Sequence, residues 1–436
     1  MSHQPAEPQE RAPIHAAVDT AEPLALDDGE PTSMSRWLWV AYPLALLGVT
    51  GVWGAVLQVL LSTQIATIVS EIGSAAGTLG WVVSIGAVSS VLAQPILGRL
   101  SDRTRTKILG PRNVWVLGGA AAGAVALVAT GLMTTPISIA IAWAVAMWPL
   151  SGVQAALTAV MPERIPLNRR GSMSGIVGTI QIVGGFIGVT LAGVADTTQL
   201  GYVFAGVLLI TTSFVFALTT KDPLRGRPRL VAGEAPRVPL PTFTTAPDFW
   251  WTFTSRFLVL FGFFLTTTMQ LYIIRDWIGA GAGTIEAAQD ALIPIVGVNS
   301  LATMLCAVLA GVLADRFGRL KPFVATSALL GVPAGLVVVF NPTMTGLFIT
   351  SVLSGVALGA YMAVDQALIS RVIPSKETAA RDLGLINIAN AGPQIIAPVI
   401  AGAVVAATGN YALLYIALGI FAIPGALAVL KVRSVR

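Results

Sequence analysis

The chain is dominated by apolar runs of about 20 residues, such as LWVAYPLALLGVTGVWGAVLQVLLS from position 38. A helix rising about 1.5 Å per residue needs a run of that length to cross a hydrocarbon core roughly 30 Å thick. Lipid offers the backbone no hydrogen-bond partners, so a run of this kind satisfies its own N–H and C=O groups as a helix. Twelve such spans follow one another. The first six cover 38–62, 78–100, 114–133, 137–160, 172–194 and 201–218, and the second six cover 250–274, 288–313, 321–340, 345–369, 383–407 and 411–430. The expected fold is an all-α polytopic membrane protein of twelve transmembrane helices.

Charge places the chain in the bilayer. Only 11% of the residues are charged against 55% hydrophobic, where soluble domains carry about 25% charged residues. The net charge of +5 is not the footprint of a nucleic-acid binder, because the basic residues form no continuous stripe. They gather in the first segment, in loops 2/3, 4/5, 8/9 and 10/11, in the stretch between spans 6 and 7, and after span 12. Only Arg256 and Arg275 lie elsewhere. The positive-inside rule then predicts a multi-pass protein of the cytoplasmic membrane with both termini in the cytoplasm.

The N-terminal residues 1–36 hold seven acids against Arg11 and Arg36. With few apolar groups to bury, this segment is expected to be a disordered cytoplasmic tail. The other predicted units are a six-helix bundle at 37–219, a cytoplasmic linker at 220–249 and a second six-helix bundle at 250–432. The halves overlay. Gly98 and Asp102 match Gly311 and Asp315 at an offset of 213, and Gln154 and Pro162 match Gln366 and Pro374 at 212. Duplication predicts two pseudo-symmetric six-helix bundles.

Two repeated basic loops carry the most specific pattern. The segment GVLADRFGRLK supplies Gly311, Asp315, Arg316, Gly318 and Arg319, and GRLSDRTRTK supplies Gly98, Asp102 and Arg103. This spacing of Gly, Asp and basic residues resembles the signature of the major facilitator superfamily. The first copy departs from it, with Arg105 at the second glycine. The run SDRTRTK is also weakly similar to the sucrose and glycoside-cation symporter branch. The resemblance implies a carrier working by alternating access, with these loops as conformational switches. An Asp repeated at one place in both halves has no topogenic use, whereas Arg105, Lys107 and Arg112 read as topology signals.

Well inside the spans, away from their ends, only Arg256 and Asp365 are charged, at matching depths from the basic end. Isolated ions are costly there, so they are expected to face the bundle interior as a pair or in water, and to be candidates for proton coupling. On that count the C-terminal bundle is expected to hold most of the coupling machinery. Uncharged polar groups outline a candidate substrate cavity: Gln58, Gln154, Gln181, Gln270, Asn299, Tyr361, Asn387, Asn390 and Gln394, with Gln94 and Gln366 beside them. Asn387, Asn390 and Gln394 share one helix face by their spacing. Amides offer both donor and acceptor to hydroxyls, although they also hold helices together in lipid. Trp53, Trp143, Trp148 and Tyr272 are candidate stacking rings, and the dense glycines of GSMSGIVGTIQIVGGFIGVTLAG predict a close helix crossing.

No GxxxxGK[ST] phosphate loop is present, and the spans hold neither paired carboxylates nor histidine. ATP hydrolysis, a catalytic site, a cofactor and a bound metal are therefore not expected. The reading is a monomeric secondary transporter of a small organic solute, a sugar or glycoside with protons as coupling partner. An exporter of amphipathic or lipid-like compounds is the alternative, and a non-transporting sensor or scaffold a third.

Overall fold

A computed structural model describes residues 35–69, 72–104, 106, 109–222, 241–279, 283–317, 320–372 and 379–433. Among these, twelve helices are long and apolar enough to cross a membrane. They are α1 Leu38–Ile68, α2 Gly73–Ser101, α3 Pro111–Gly131, α4 Pro136–Arg164, α5 Asn168–Gly193, α6 Thr198–Thr219, α7 Pro247–Thr267, α8 Ile285–Ala314, α9 Lys321–Phe340, α10 Met344–Asp365, α11 Leu385–Thr408 and α12 Ala412–Leu430. The spans read from hydropathy sit on these helices. The N-terminal tail to position 34 and linker positions 223–240 fall outside the described residues.

Local chemistry sets several boundaries. Proline occupies the first turn of α3, α4 and α7, where its missing N–H costs nothing. Thr135 opens α4 through a reciprocal capping box with Ser138. Two helices depart from α geometry at corresponding places. Helix α1 contains a π-turn at Val56–Leu60, and α7 breaks after Thr267, resumes at Gln270–Tyr272 and passes into a π-turn at Ile273–Ile278.

Packing follows the duplication. In the first half α1 lies against α5 and α6, α2 against α4, and α3 against α4 and α6. In the second half α7 lies against α11 and α12, α8 against α10, and α9 against α10 and α12. The halves meet through α2 with α11 and α5 with α8, two contacts that exchange under the same pseudo-two-fold relation.

Among the described residues, the interface is tight only at the end remote from the basic loops. A Cβ on Gly80 would lie 2.4 Å from the Pro398 carbonyl oxygen, and one on Gly402 2.6 Å from that of Ala76. The Ser84 hydroxyl donates to the Ile395 carbonyl at 2.6 Å. Further out, Tyr272 donates to the Ser62 carbonyl at 2.8 Å and Gln289 to the Thr63 hydroxyl at 2.7 Å. Toward the basic end the helices diverge, and a Cβ added at Gly98, Gly171, Gly175, Gly178 or Gly311 would meet nothing within 4 Å. The two bundles thus close at one end and open at the other.

Candidate functional site

Between the bundles lies a cavity of about 930 Å³. Its N-terminal wall presents Gln58, Gln94, Gln154 and Gln181, and its C-terminal wall Gln270, Asn299, Asn387, Asn390 and Gln394. Eight of the nine residues proposed from the sequence for this role are therefore on one surface. Tyr361 is the exception. It is 1% exposed, and its hydroxyl donates to Asp365 Oδ1 at 3.1 Å, because it follows the interior face of α10 away from the cavity. The Gln366 side chain falls outside the described residues.

Aromatic rings complete the wall. Trp53 and Trp143 meet edge to face with centroids 6.3 Å apart, and Phe186, Phe263 and Phe264 join them on the cavity. The Trp143 indole N–H is buried without a hydrogen-bond partner. Trp148 and Tyr272 do not line the cavity. Tyr272 serves the closed end instead, and Trp148 is partly exposed. No Asp, Glu, Lys, Arg or His contributes to the cavity among the described residues.

The sequence profile of the Major Facilitator Superfamily matches residues 38–289 and 282–436. The chain belongs to the Major Facilitator Superfamily. Solved structures of the same fold include a bacterial homologue of the human lysosomal transporter Spinster, inward-facing and occupied. It is 15% identical over 91% of this chain and 95% of that one, with a TM-score of 0.66. The nucleoside transporter NupG is 13% identical over 91% of this chain and 98% of its own, with a TM-score of 0.65. No curated protein sequence matches the chain. Membership makes this a multi-pass membrane transporter rather than an enzyme.

The superfamily's two signature loops lie at the open end. Gly98 and Gly311 sit near the ends of α2 and α8 facing free space, and Arg103 and Arg316 are exposed. The side chains of Asp102 and Asp315, and all of Arg105, Lys107, Gly318 and Arg319, fall outside the described residues. Arg256 and Asp365 form an ion pair, with Nη1 and Oδ2 2.8 Å apart and side chains 8% and 1% exposed. The contact lacks hydrogen-bond alignment, since Asp365 Oδ2 and Arg256 Nε have no hydrogen-bond partner. Neither residue reaches the cavity.

A second charged cluster, not foreseen from the sequence, lies in the N-terminal half. Arg112, read from the sequence as a topology signal, is also buried and paired. Its guanidinium pairs with Glu163, with Nε 3.0 Å from Oε2, and donates to the Ser101 hydroxyl at 2.8 Å. Arg164 pairs with Asp222 at 3.1 Å, donates to Asn113 Oδ1 at 3.0 Å and lies over the Phe216 ring. Asp222 also accepts from the Arg112 backbone N–H at 2.8 Å. The network ties the ends of α2, α3, α4 and α6 together. Sequence conceals it because each member falls at a span end, where the pattern reads as loop. The described charged contacts are thus at least as extensive in the N-terminal bundle as in the C-terminal one.

At the closed end Arg275 forms a bidentate pair with Asp276, one arm being Nη2 to Oδ2 at 3.0 Å. Tyr411 donates to Asp276 Oδ2 at 2.8 Å. Burial, together with the Asp276 charge, pushes the Tyr411 phenol above its ordinary range and keeps it a donor.

Proposed function

We propose that this chain is a secondary active transporter of the cytoplasmic membrane that carries a small uncharged organic solute, a sugar or glycoside, with proton coupling. The observation that carries the reading is the cavity walled by amides and rings from both bundles, with no Asp, Glu, Lys, Arg or His side chain among the described residues. An ionic solute would leave its hydration shell there with no counter-charge in reach. Hydroxyl groups would find donors and acceptors, and sugar faces would find rings. The basic loops support an orientation with the open end and both termini in the cytoplasm. In this reading the repeated Gly98–Asp102–Arg103 and Gly311–Asp315–Arg316 loops, completed by Gly318 and Arg319, switch the two states, and the buried Arg256–Asp365 pair couples proton movement to them.

The test is uptake of radiolabelled sucrose and methyl glucoside into proteoliposomes of the full chain, with and without an imposed proton gradient. Saturable uptake stimulated by the gradient is expected, and Asp365→Asn should keep exchange while losing gradient-driven accumulation. Uptake indifferent to pH in both proteins would remove the coupling claim.

A second reading has its own observation. Trp53, Trp143, Phe186, Phe263 and Phe264 give the apolar part of an amphiphile a surface to lie on, which fits export of amphipathic or lipid-like compounds. Competition by amphiphiles, with no binding of sugars, would favour it.

A further inference from the structure

Gln58 and Gln270 occupy equivalent places in the two halves, at an offset of 212. Each sits at a departure from α geometry. Gln58 lies within the π-turn of α1, while Gln270 restarts α7 just before its π-turn. Both line the cavity. A π-turn leaves backbone groups imperfectly paired and persists chiefly where it has a use. In α1 the π-turn carries Gln58 on the cavity wall, and in α7 Gln270 on that wall directly follows the break at Thr268–Met269.

The two amides are unengaged, and their neighbours show the contrast. Six residues beyond Gln58, the Gln64 amide donates to the Thr130 and Met133 carbonyls, both at 2.9 Å, and accepts from Tyr202 at 2.9 Å. Elsewhere on the wall, Asn299 donates to the Ser351 carbonyl at 3.0 Å and Gln394 to the Asn390 carbonyl at 3.2 Å. No such bond is made by the side chains of Gln58 or Gln270 with any described residue. Gln64 and Asn299 are structural amides; Gln58 and Gln270, like Gln154, Gln181, Asn387 and Asn390 on the same wall, have their donors and acceptors available, and only Gln58 and Gln270 adjoin the helix irregularities.

Both also adjoin the closure. Four residues after Gln58 comes the Ser62 carbonyl, which accepts from Tyr272, and Tyr272 stands two residues after Gln270. The hydrogen bond that links α1 to α7 therefore lies beside the irregular segments, with Ser62 in the α-helical stretch just after the first π-turn and Tyr272 in the same short turn as Gln270.

We propose that Gln58 and Gln270 form a paired clamp for the adjacent hydroxyls of an uncharged solute, and that its occupancy loosens the Tyr272–Ser62 link through the short segments Gln58–Ser62 and Gln270–Tyr272. Each carboxamide can accept from one hydroxyl and donate to its neighbour, a pattern that a vicinal diol completes and a deoxy compound does not. The clamp rests on the reading of the chain as a carrier of an uncharged hydroxylated solute.

The experiment uses the full chain in nanodiscs with Cys306→Ser and spin labels at Thr134→Cys and Pro342→Cys, both exposed in outer loops. Probes are sucrose, uridine and 2′-deoxyuridine, the last lacking the ribose diol. Binding is followed by tryptophan fluorescence and the interlabel distance by electron–electron resonance. Sucrose and uridine should bind and lengthen the distance, and deoxyuridine should bind about tenfold more weakly. Gln58→Met or Gln270→Met should each weaken diol binding by about tenfold, matching the loss of hydrogen bonds, and should abolish the distance change at saturation. The shortened Gln58→Asn, if the Met variant does not fold, should lie between Met and wild type. Unchanged affinity in the Met variants, with wild type binding diols, overturns the clamp and leaves the carrier reading standing. Weakened binding with an intact distance change overturns the transmission. Wild type that binds neither diol overturns the hydroxylated-solute reading, and the clamp with it.

Discussion

Asp365 and Arg256 show how a single residue type reports its surroundings in a membrane chain. A carboxylate 1% exposed in a membrane helix persists only with compensation, and the guanidinium 2.8 Å away with the Tyr361 hydroxyl supplies it. Removing one partner strands the other, so Asp365→Asn is expected to destabilise the protein by about 3–5 kcal/mol. The double change Asp365→Leu with Arg256→Met removes both charges and should recover much of that loss. Thermal melts of the three proteins in one detergent check this, and a double variant no more stable than the single one would show that the pair is not the source. The partnership was legible in sequence, because two lone ions at equal depth have few other solutions. The location of Tyr361 was not, since helical periodicity gives a face but not which neighbour that face meets. Arg112, Glu163, Arg164 and Asp222 were hidden for the converse reason: their burial comes from four helix ends converging, which no local pattern encodes.

At the scale of elements, hydropathy fixes helix number and duplication fixes pairing, but close approach is written in small residues. In α5, Gly184 and Gly188 face α1: a Cβ on Gly188 would lie 1.9 Å from the Gly51 carbonyl oxygen, and on the other side one on Gly54 would lie 2.1 Å from that of Gly185. Backbone cannot yield as a flexible side chain can, so Gly188→Ala is expected to cost about 1–3 kcal/mol through forced separation. Gly178, on the same helix but with nothing within 4 Å, should accept alanine without loss. A comparison of the two melting temperatures separates crossing geometry from helix propensity, because alanine favours the helix equally at both sites. The predicted close crossing was legible from composition. The π-turns in α1 and α7 were not, because nothing in VLQVL or IIRDWI distinguishes a wider turn from an ordinary α turn.

For the whole molecule, the two bundles are joined at one end and parted at the other, and the described hydrogen bonds between halves all lie on the joined side: Ser84 to Ile395, Tyr272 to Ser62 and Gln289 to Thr63. Alternating access requires that set to break while contacts form among the basic loops. Each neutral hydrogen bond contributes about 0.5–1.5 kcal/mol, and about 1.4 kcal/mol changes an equilibrium tenfold. Tyr272→Phe, which keeps the ring and deletes the donor, should therefore raise the population open at the outer end by several-fold, and adding Gln289→Met should raise it further. Spin labels in the loops of the closed end at Thr134→Cys and Pro342→Cys would lengthen in distance, while labels at the exposed Arg103→Cys and Arg316→Cys at the basic end would shorten. The opposed movement of the two pairs is the decisive feature, because local fraying around Tyr272 would lengthen the outer distance and leave the basic-end distance where it was.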